Sequence, residues 1–173
     1  MRRASSHDLL LISKALKDKL EAFAAGAFLV QRTGYNIPQL RAKAALDRFT
    51  FARYILRTAD TISAMTPPMN RMVVCRSYYA MYHAFRAVTY FVHGGDDHEK
   101  HSDLPSKLPR DFPNRAVWEN KLKNARLERN RADYDPYPRD ESGFGTIAVD
   151  LLADAKSLMP VVKQYLQTKG CVL

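Results

Sequence analysis

Glycine and proline, the residues that interrupt helices most strongly, are few in this chain and fall mainly in two clusters. The 173 residues include 7 glycines and 9 prolines, most of them within residues 94–113 and 136–145. Elsewhere apolar residues recur at intervals of three and four, and no run of alternating β-branched residues indicates a sheet. The chain is therefore predicted to be all-α, a bundle of four or five helices.

Caps and breaks divide the chain into five predicted helices. Their ranges, in chain order, are 6–25, 38–64, 70–93, 114–132 and 144–167. Ser6 is expected to cap the first helix, and Pro38 to occupy the first turn of the second. Gly26 and Gly34 are expected to loosen the chain between these two helices. Residues 94–113 are predicted to form a long loop with one short helical turn.

The spacing of apolar residues gives each of the first three helices an apolar face, and that of the second helix is expected to point inward. In the first helix this face consists of Leu9, Ile12, Leu16, Leu20, Phe23 and Ala27. In the second helix it consists of Ala44, Phe51, Ile55, Ala59 and Ile62. The third helix carries an apolar face of Val74, Tyr78, Met81, Phe85, Val88 and Val92. Beside it runs a polar-aromatic face of Arg76, Tyr79, His83, Arg86 and Tyr90.

Arg129 continues the inward face of the fourth helix. At 100° per residue it lies within about 60° of Trp118, Leu122 and Ala125 on the helical wheel. A guanidinium is expensive to bury unless it is paired or binds an anion. Two interpretations follow: a salt-bridged or snorkelling arginine near a helix end, or a cation that binds an anionic ligand.

The positive charge of the chain is concentrated in one segment. The net charge is +9, and residues 100–131 hold nine Lys or Arg against four acids. Such a surplus favours a polyanionic partner, either nucleic acid or an anionic membrane surface. With Tyr134 and Tyr137 nearby, phosphate contacts and base stacking are expected. The alternative is an ordinary solvated helix face.

Histidines suggest a competing type of site. A cluster within nine residues comprises His93, Asp96, Asp97, His98 and His101. Imidazole and carboxylate are common zinc and iron ligands, but this spacing matches no established motif, so no metal is predicted. His83 is expected to be a hydrogen-bonded bundle residue or a substrate contact. Tyr78, Tyr79 and Tyr82 are expected to supply core and seam packing.

Other site types are not indicated. The sequence has no glycine-rich nucleotide motif and no metalloprotease or hydrolase signature, so no cofactor is predicted. Cys75 is expected to be an inert thiol, and with Cys171 it forms no disulfide framework or metal spacing. No apolar run is long enough to span a bilayer, and Lys14 and Lys17 interrupt the stretch that a signal peptide needs. We therefore expect a cytoplasmic protein that does not enter membranes.

Three segments together resemble the HEPN domain family. These are the run RSYYAMYHA at residues 76–84, Lys100-His101-Ser102, and RNRADY at residues 129–134. They occur in the family's order and at plausible spacing, and the match covers roughly residues 38–168. The chain is most similar to the small prokaryotic stand-alone HEPN proteins. The first 35 residues are expected to be a helical extension, and residues 36–170 to form the HEPN-like bundle.

The resemblance implies an antiparallel bundle that forms a homodimer and acts as a metal-independent endoribonuclease toxin. Such toxins are often partnered by a minimal nucleotidyltransferase antitoxin. In their motif an arginine and a polar residue, here Arg129 and Asn130, are followed four to six residues on by a histidine. The window here reads Tyr134-Asp135-Pro136, so Tyr134 stands where the histidine is expected.

Further roles are assigned by the same resemblance and by charge. The residues expected to bind RNA are Arg76, His83, Lys121, Lys123, Arg126 and Arg131. Tyr137 lies near the place where related toxins carry an adenylylated tyrosine. Two hypotheses remain open: an RNA-binding protein with a variant ribonuclease site, or an inactive module that docks a nucleotidyltransferase or another defence component.

Overall fold

The computed structural model describes residues 4–95 and 98–171, and this part of the chain is helical, with no strand. Its α-helices are α1 (Ser6–Ser13), α2 (Lys17–Thr33), α3 (Ile37–Ser63), α4 (Asn70–Val92), α5 (Arg115–Tyr134) and α6 (Gly145–Thr168). Two short 3₁₀ helices, Leu104–Lys107 and Glu141–Phe144, precede α5 and α6. The predicted all-α fold class is confirmed.

The chain divides into two compact units, Met1–Leu40 and Arg41–Leu173. The sequence predicted a helical extension over residues 1–35 and a bundle over residues 36–170. It also predicted one helix over residues 6–25, and that prediction is wrong because the chain turns after Ser13. The Ser13 hydroxyl donates to the Leu10 carbonyl at 3.0 Å, and Leu16 is extended (φ −68°, ψ 157°). Such a hydroxyl competes with the backbone for helical acceptors. Gly26, the expected break, lies inside α2.

The first unit has no buried residue in α1 or α2. The apolar face predicted for the first helix is exposed: its large side chains range from 36% for Leu20 to 80% for Leu16. This face is therefore not part of a core, because no element within the unit covers it. Ser5 and Asp8 form a reciprocal capping box that stabilises the start of α1 locally.

The second unit is built around α4. This helix packs against α5, α6 and both 3₁₀ helices. Of its predicted apolar face only Val92, at the end of the helix, is exposed; Val74, Met81, Phe85 and Val88 have no exposed surface. The helix ends where the sequence predicted, because Gly94 and Gly95 adopt φ angles of 77° and 120° that only glycine takes up readily.

In α3 the predicted inward face is partly wrong. Ile55, Ala59 and Ile62 are buried as expected, whereas Phe51 is 47% exposed and Ala44 is half-buried. The core positions are instead Ala45, Phe49 and Ala52. Two phenylalanines two residues apart cannot share one helical face, and apolar spacing alone did not decide which of them turns inward.

The loop of residues 94–113 contributes to the core, as far as the structure describes it. It contains the expected short turn, the 3₁₀ helix Leu104–Lys107, and buries Leu104, Leu108 and Phe112. The Phe112 ring lies edge-on to Phe85 at 5.9 Å between centroids. This segment is therefore a packed connection, held by side chains rather than by a helical ladder.

Arg71 joins the start of α4 to the end of α5. Its guanidinium donates to the carbonyls of Ala132 (2.8 Å), Asp135 (2.9 Å) and Pro138 (2.6 Å) and lies 4.4 Å from the centre of the Phe144 ring. The carbonyls at a helix C-terminus lack helical donors, so a cation there satisfies them and complements the helix dipole. None of the described helices combines the length and hydrophobicity needed to cross a membrane.

Candidate functional site

Four aromatic side chains of α4 and one histidine of the loop that follows it form a group of rings that we call the aromatic cluster. Its members are Tyr78, Tyr79, Tyr82, His83 and His101. Tyr78 and Tyr82 are buried, as expected, whereas Tyr79, His83 and His101 are half-buried. Aromatic rings separated by 4–7 Å in tilted or stacked arrangements stabilise one another, so the rings of the cluster hold each other in place.

His101 is the most constrained member of the cluster. Its ring stacks on Tyr82 with 4.1 Å between centroids and 7° between planes. Its Nδ1 shares a 2.5 Å hydrogen bond with the Tyr78 hydroxyl. The Tyr82 hydroxyl donates to the carbonyl of Glu99 at 2.5 Å, two residues before His101. Two buried tyrosines therefore fix both this imidazole and the loop that carries it.

Arg129 lies against the same cluster and is 14% exposed. Its Nη2 donates to the Tyr79 hydroxyl, and its Nη1 donates to Asn130 Oδ1 at 2.9 Å. Its Nε lies 3.0 Å from Asp133 Oδ2. The two groups form an ion pair, but the geometry does not meet the criteria for a hydrogen bond. The guanidinium carbon lies 5.0 Å from the Tyr79 ring and 5.8 Å from the ring of Tyr134.

The predicted position of Arg129 on a buried face is thus observed, together with the pairing that its burial demands. Burial lowers the pKa of Arg129, but the Tyr79 hydrogen bond and Asp133 together raise it, and the net shift is upward. The guanidinium is therefore a permanent positive charge at the edge of the aromatic cluster. Asp133 also accepts from the Cys75 thiol at 2.9 Å.

Among the cavities of the described part of the chain, two adjoin the cluster. One, of about 360 Å³, is lined by Arg71, Met72, Cys75, Arg76, Tyr79, Ala132 and Asp133. The other, of about 280 Å³, is lined by His101, Ser102, Pro105, Lys123, Arg126 and Leu127. Tyr79 thus borders the first cavity and His101 the second. Each cavity brings cationic side chains beside aromatic rings, the combination that phosphate and base recognition uses.

Arg126 is the notable cation of the second cavity. It is half-buried, and within the described residues it has no hydrogen bond or ion pair. Lys123, beside it, is exposed and bonded to Glu119 at 2.7 Å. A guanidinium without a partner has its hydrogen-bond donors available to an anionic ligand, and hydrogen bonds between charged groups are the stronger ones.

The structure brings together most, but not all, of the predicted site residues. Arg129, Asn130 and Tyr134 adjoin one another, and His83 lies in the cluster. Arg76 is exposed at the first cavity, and Lys123 and Arg126 line the second.

Three predicted residues have other surroundings. Lys121 bonds Asp154 of α6 at 2.5 Å and lies over Trp118, so its charge is already paired. Arg131 pairs with Glu128 at 2.7 Å, and two residues after Arg129 it points to the opposite side of α5. Tyr137 is 63% exposed, with its ring 5.4 Å from the Arg139 guanidinium carbon.

Both histidines of the cluster hold a proton less strongly than an ordinary histidine does. Burial, then Arg86 and Arg48, lowers the pKa of His83 to about 4. Burial, then Arg129, Arg126 and Arg86, lowers the pKa of His101. Both imidazoles are therefore neutral at pH 7. Burial, with Asp133, raises the pKa of Cys75 to about 12, which keeps it a thiol, as expected.

From the sequence, His101 was expected only as a member of a metal cluster and of a family motif, and its position beside the tyrosines was not predicted. Loop residues have no periodicity, so no pattern could indicate that His101 faces the tyrosines of α4. Of the suggested metal cluster, Asp96 and Asp97 lie outside the described residues, and the His93 and His98 rings are 5.0 Å apart. The described part of the chain has no group of three metal-ligating side chains.

Comparison with known proteins gives no further assignment. No family model, no curated protein and no solved structure matches this chain. The site must therefore be interpreted from its own geometry.

Proposed function

We propose that this protein is a HEPN-type RNA-binding protein that acts as a metal-independent endoribonuclease toxin. The observation that carries the proposal is Arg126, a half-buried guanidinium that opens on a cavity with Lys123 and has no partner among the described residues. A phosphodiester would supply the missing charge and acceptor oxygens. The net charge of +9 supports the same class of ligand, because it attracts a polyanion.

The aromatic side chains beside these cations favour single-stranded RNA. Tyr134 is 73% exposed and lies at the Arg129 guanidinium, where an unstacked base can pack on its ring. Base stacking on an aromatic side chain contributes about 1–3 kcal/mol. Arg76, at the first cavity, extends the cationic surface along the same side of α4.

Cleavage without a metal needs a cation near the phosphorus and a group that takes the ribose 2′-OH proton. Arg129 supplies the cation in this proposal. Its contacts with Tyr79, Asn130 and Asp133 hold the guanidinium in place, which reduces the reorganisation needed when charge develops on the phosphate.

RNA binding and cleavage by the purified protein in EDTA test this proposal. Arg126→Ala should weaken binding of a single-stranded oligoribonucleotide roughly 10-fold and reduce its salt dependence by about one phosphate contact. Arg129→Ala should abolish cleavage while the protein remains folded. Arg57→Ala, at an exposed position of α3, is the matched control and should bind and cleave as the wild type does. Equal affinity of the Arg126 and Arg57 variants would contradict the proposal.

A second candidate function is an inactive HEPN module that docks a nucleotidyltransferase or another defence component. It is favoured by the contacts of Arg129, whose guanidinium is already occupied by Tyr79, Asn130 and Asp133. The expected outcome is then no cleavage by the wild type and a stable complex with a nucleotidyltransferase encoded beside it. In that case Tyr137, exposed in the loop after α5, is the tyrosine to test for adenylylation.

The proposal includes the antiparallel HEPN bundle and a cytoplasmic homodimer. In a two-fold dimer, two copies of Arg129 can face one cleft, so that both contact one RNA strand. The measurement is the mass in solution by light scattering, which should be about twice 19.7 kDa.

A further inference from the structure

We infer that His101 accepts the 2′-OH proton in this reaction, in the role that the family motif gives to a histidine near position 134; the inference rests on the proposed ribonuclease function. His101 reaches the site from the loop between α4 and the 3₁₀ helix Leu104–Lys107, not from α5. It adjoins two tyrosines, Tyr78 and Tyr79, that also contact Arg129. The proposed proton acceptor, His101, and the cation, Arg129, therefore pack against the same two tyrosines.

The contacts of the imidazole leave one nitrogen for a ligand. Nδ1 is bonded to Tyr78, one face of the ring is covered by Tyr82, and Tyr79 approaches edge-on at 6.1 Å. Nε2 has no hydrogen bond within the described residues, and the residue lines the cavity of Arg126 and Lys123. A phosphate bound by these cations would bring its neighbouring ribose to the imidazole.

Tyr78 suits the role of positioning residue because a hydroxyl can donate or accept. Burial raises the pKa of Tyr78, so it remains a neutral phenol. For Nε2 to take up a proton, the neutral ring must carry its own hydrogen on Nδ1, which donates to the phenol oxygen. In the imidazolium Nδ1 still donates to the same oxygen. The same 2.5 Å contact therefore holds the ring before and after it takes up a proton.

The charges that face His101 keep it ready to accept a proton. They are Arg126 and Arg129 of α5 and Arg86 of α4, and with burial they lower the pKa of its imidazole. The other histidine of the cluster, His83, has a pKa of about 4, and its ring packs edge-on against Phe51 at 4.8 Å. His101 is the better placed of the two because it lines the cavity that Arg126 and Lys123 also line.

The reaction balances without a metal or another reagent. The 2′-OH gives its proton to Nε2 of His101, and the 2′ oxygen forms a bond to phosphorus. The bond from phosphorus to the 5′ oxygen breaks, its electron pair stays on that oxygen, and the oxygen takes a proton from water. The imidazolium then returns its proton to solvent. The products are a 2′,3′-cyclic phosphate and a 5′-hydroxyl end. Arg126 and Lys123 contact the phosphate in the cavity, and Arg129, which packs on Tyr78 and Tyr79, adds positive charge from beside these rings.

The test compares the wild type with His101→Gln on a labelled single-stranded oligoribonucleotide in EDTA. The variant should cleave roughly 10²–10⁴-fold more slowly. Its affinity for the same oligonucleotide with 2′-deoxyribose at every position should stay within about threefold of the wild type, because binding depends mainly on the arginines. His93→Gln is the matched control: His93 is exposed, and its Nε2 bonds the Lys107 carbonyl, which glutamine can also do.

Two further measurements separate a proton acceptor from a structural role. With a sulfur leaving group at the 5′ position, which needs no proton, the His101→Gln defect should persist; its disappearance would overturn the inference. In the wild type, kcat/KM should fall below a pH that lies under 6.5, the ordinary pKa of histidine, and the variant should lack this limb. If His101→Gln fails to fold, the pH profile of the wild type alone still tests the inference.

The outcomes distinguish this inference from the proposed function. Equal cleavage by the wild type and His101→Gln would overturn the role of His101 and leave the ribonuclease standing. RNA binding without any cleavage by the wild type would overturn both the role of His101 and the ribonuclease, and leave RNA binding. Absence of both binding and cleavage would overturn all three.

Discussion

The two units of this protein have similar patterns of apolar residues but differ in whether those residues are buried. In Met1–Leu40, α1 and α2 carry apolar residues at helical spacing, yet none of them is buried. In Arg41–Leu173, the same spacing along α4 produces a helix that is buried for most of its length. The comparison shows that an amphipathic pattern predicts a helix, whereas a core also requires a second element to cover the apolar face.

The largest effect should come from the core of the second unit. Phe85 has no exposed surface and contacts Phe112, so Phe85→Ala should destabilise this unit by about 3–5 kcal/mol. Urea denaturation followed by circular dichroism measures the change. A loss below about 1 kcal/mol would contradict the comparison, since the unit would then not depend on the core around α4.

The connection made by Arg71 should come next. Arg71→Met keeps much of the side-chain volume but leaves the carbonyls of Ala132, Asp135 and Pro138 without this donor. A loss of about 2–3 kcal/mol is expected, because hydrogen bonds from charged groups contribute more than neutral ones. The same denaturation experiment measures it. Arg57→Met, at an exposed position, is the control and should change little.

A smaller effect should appear as the pH is lowered. Burial lowers the pKa of His83 to about 4, from 6.5 for an ordinary histidine. Between these values the unfolded chain binds a proton that the folded one does not, so stability falls as the pH drops from 6.5 towards 4. For this half-buried group we expect a loss of about 1–2 kcal/mol. His83→Gln should remove that part of the pH dependence; an unchanged slope would show that His83 does not cause it.

The smallest effect should come from the first unit. Phe23 is 46% exposed, so Phe23→Ala, the same substitution as at Phe85, should change stability by less than about 0.5 kcal/mol. Unfolding at several protein concentrations is the measurement. A large, concentration-dependent loss would show that this apolar surface is covered when molecules associate, which would remove the contrast between the units.

Helices were predicted well where pattern and packing agree. The ranges of α4, α5 and α6 follow from their apolar spacing and from breaks such as Gly94-Gly95, and the phase of α4 was predicted almost throughout. Prediction failed where several arrangements satisfy the same spacing. Phe49 and Phe51 compete for one inward position in α3, and the chain turns at Lys14–Leu16, where neither glycine nor proline is present.

The candidate site was predictable in its cations but not in its geometry. Arg129 stood out because it continues an apolar face, and Arg126 because of the local charge. The contacts of His101 with Tyr78 and Tyr82 join positions 23 and 19 residues apart through a loop without periodicity. The surplus charge also did not show that Lys121 and Arg131 are already paired.

The loop before Leu104 is held to α4 by side-chain hydrogen bonds. Residues 98–101 reach α4 through two phenolic hydroxyls, which bond the carbonyl of Glu99 and the ring of His101. Helical ladders exchange their amide hydrogens only when the helix opens, whereas a segment held by side chains can detach while the helices stay intact. Amides of this loop should therefore exchange with solvent well before those of α4, and a bound RNA strand should slow them selectively.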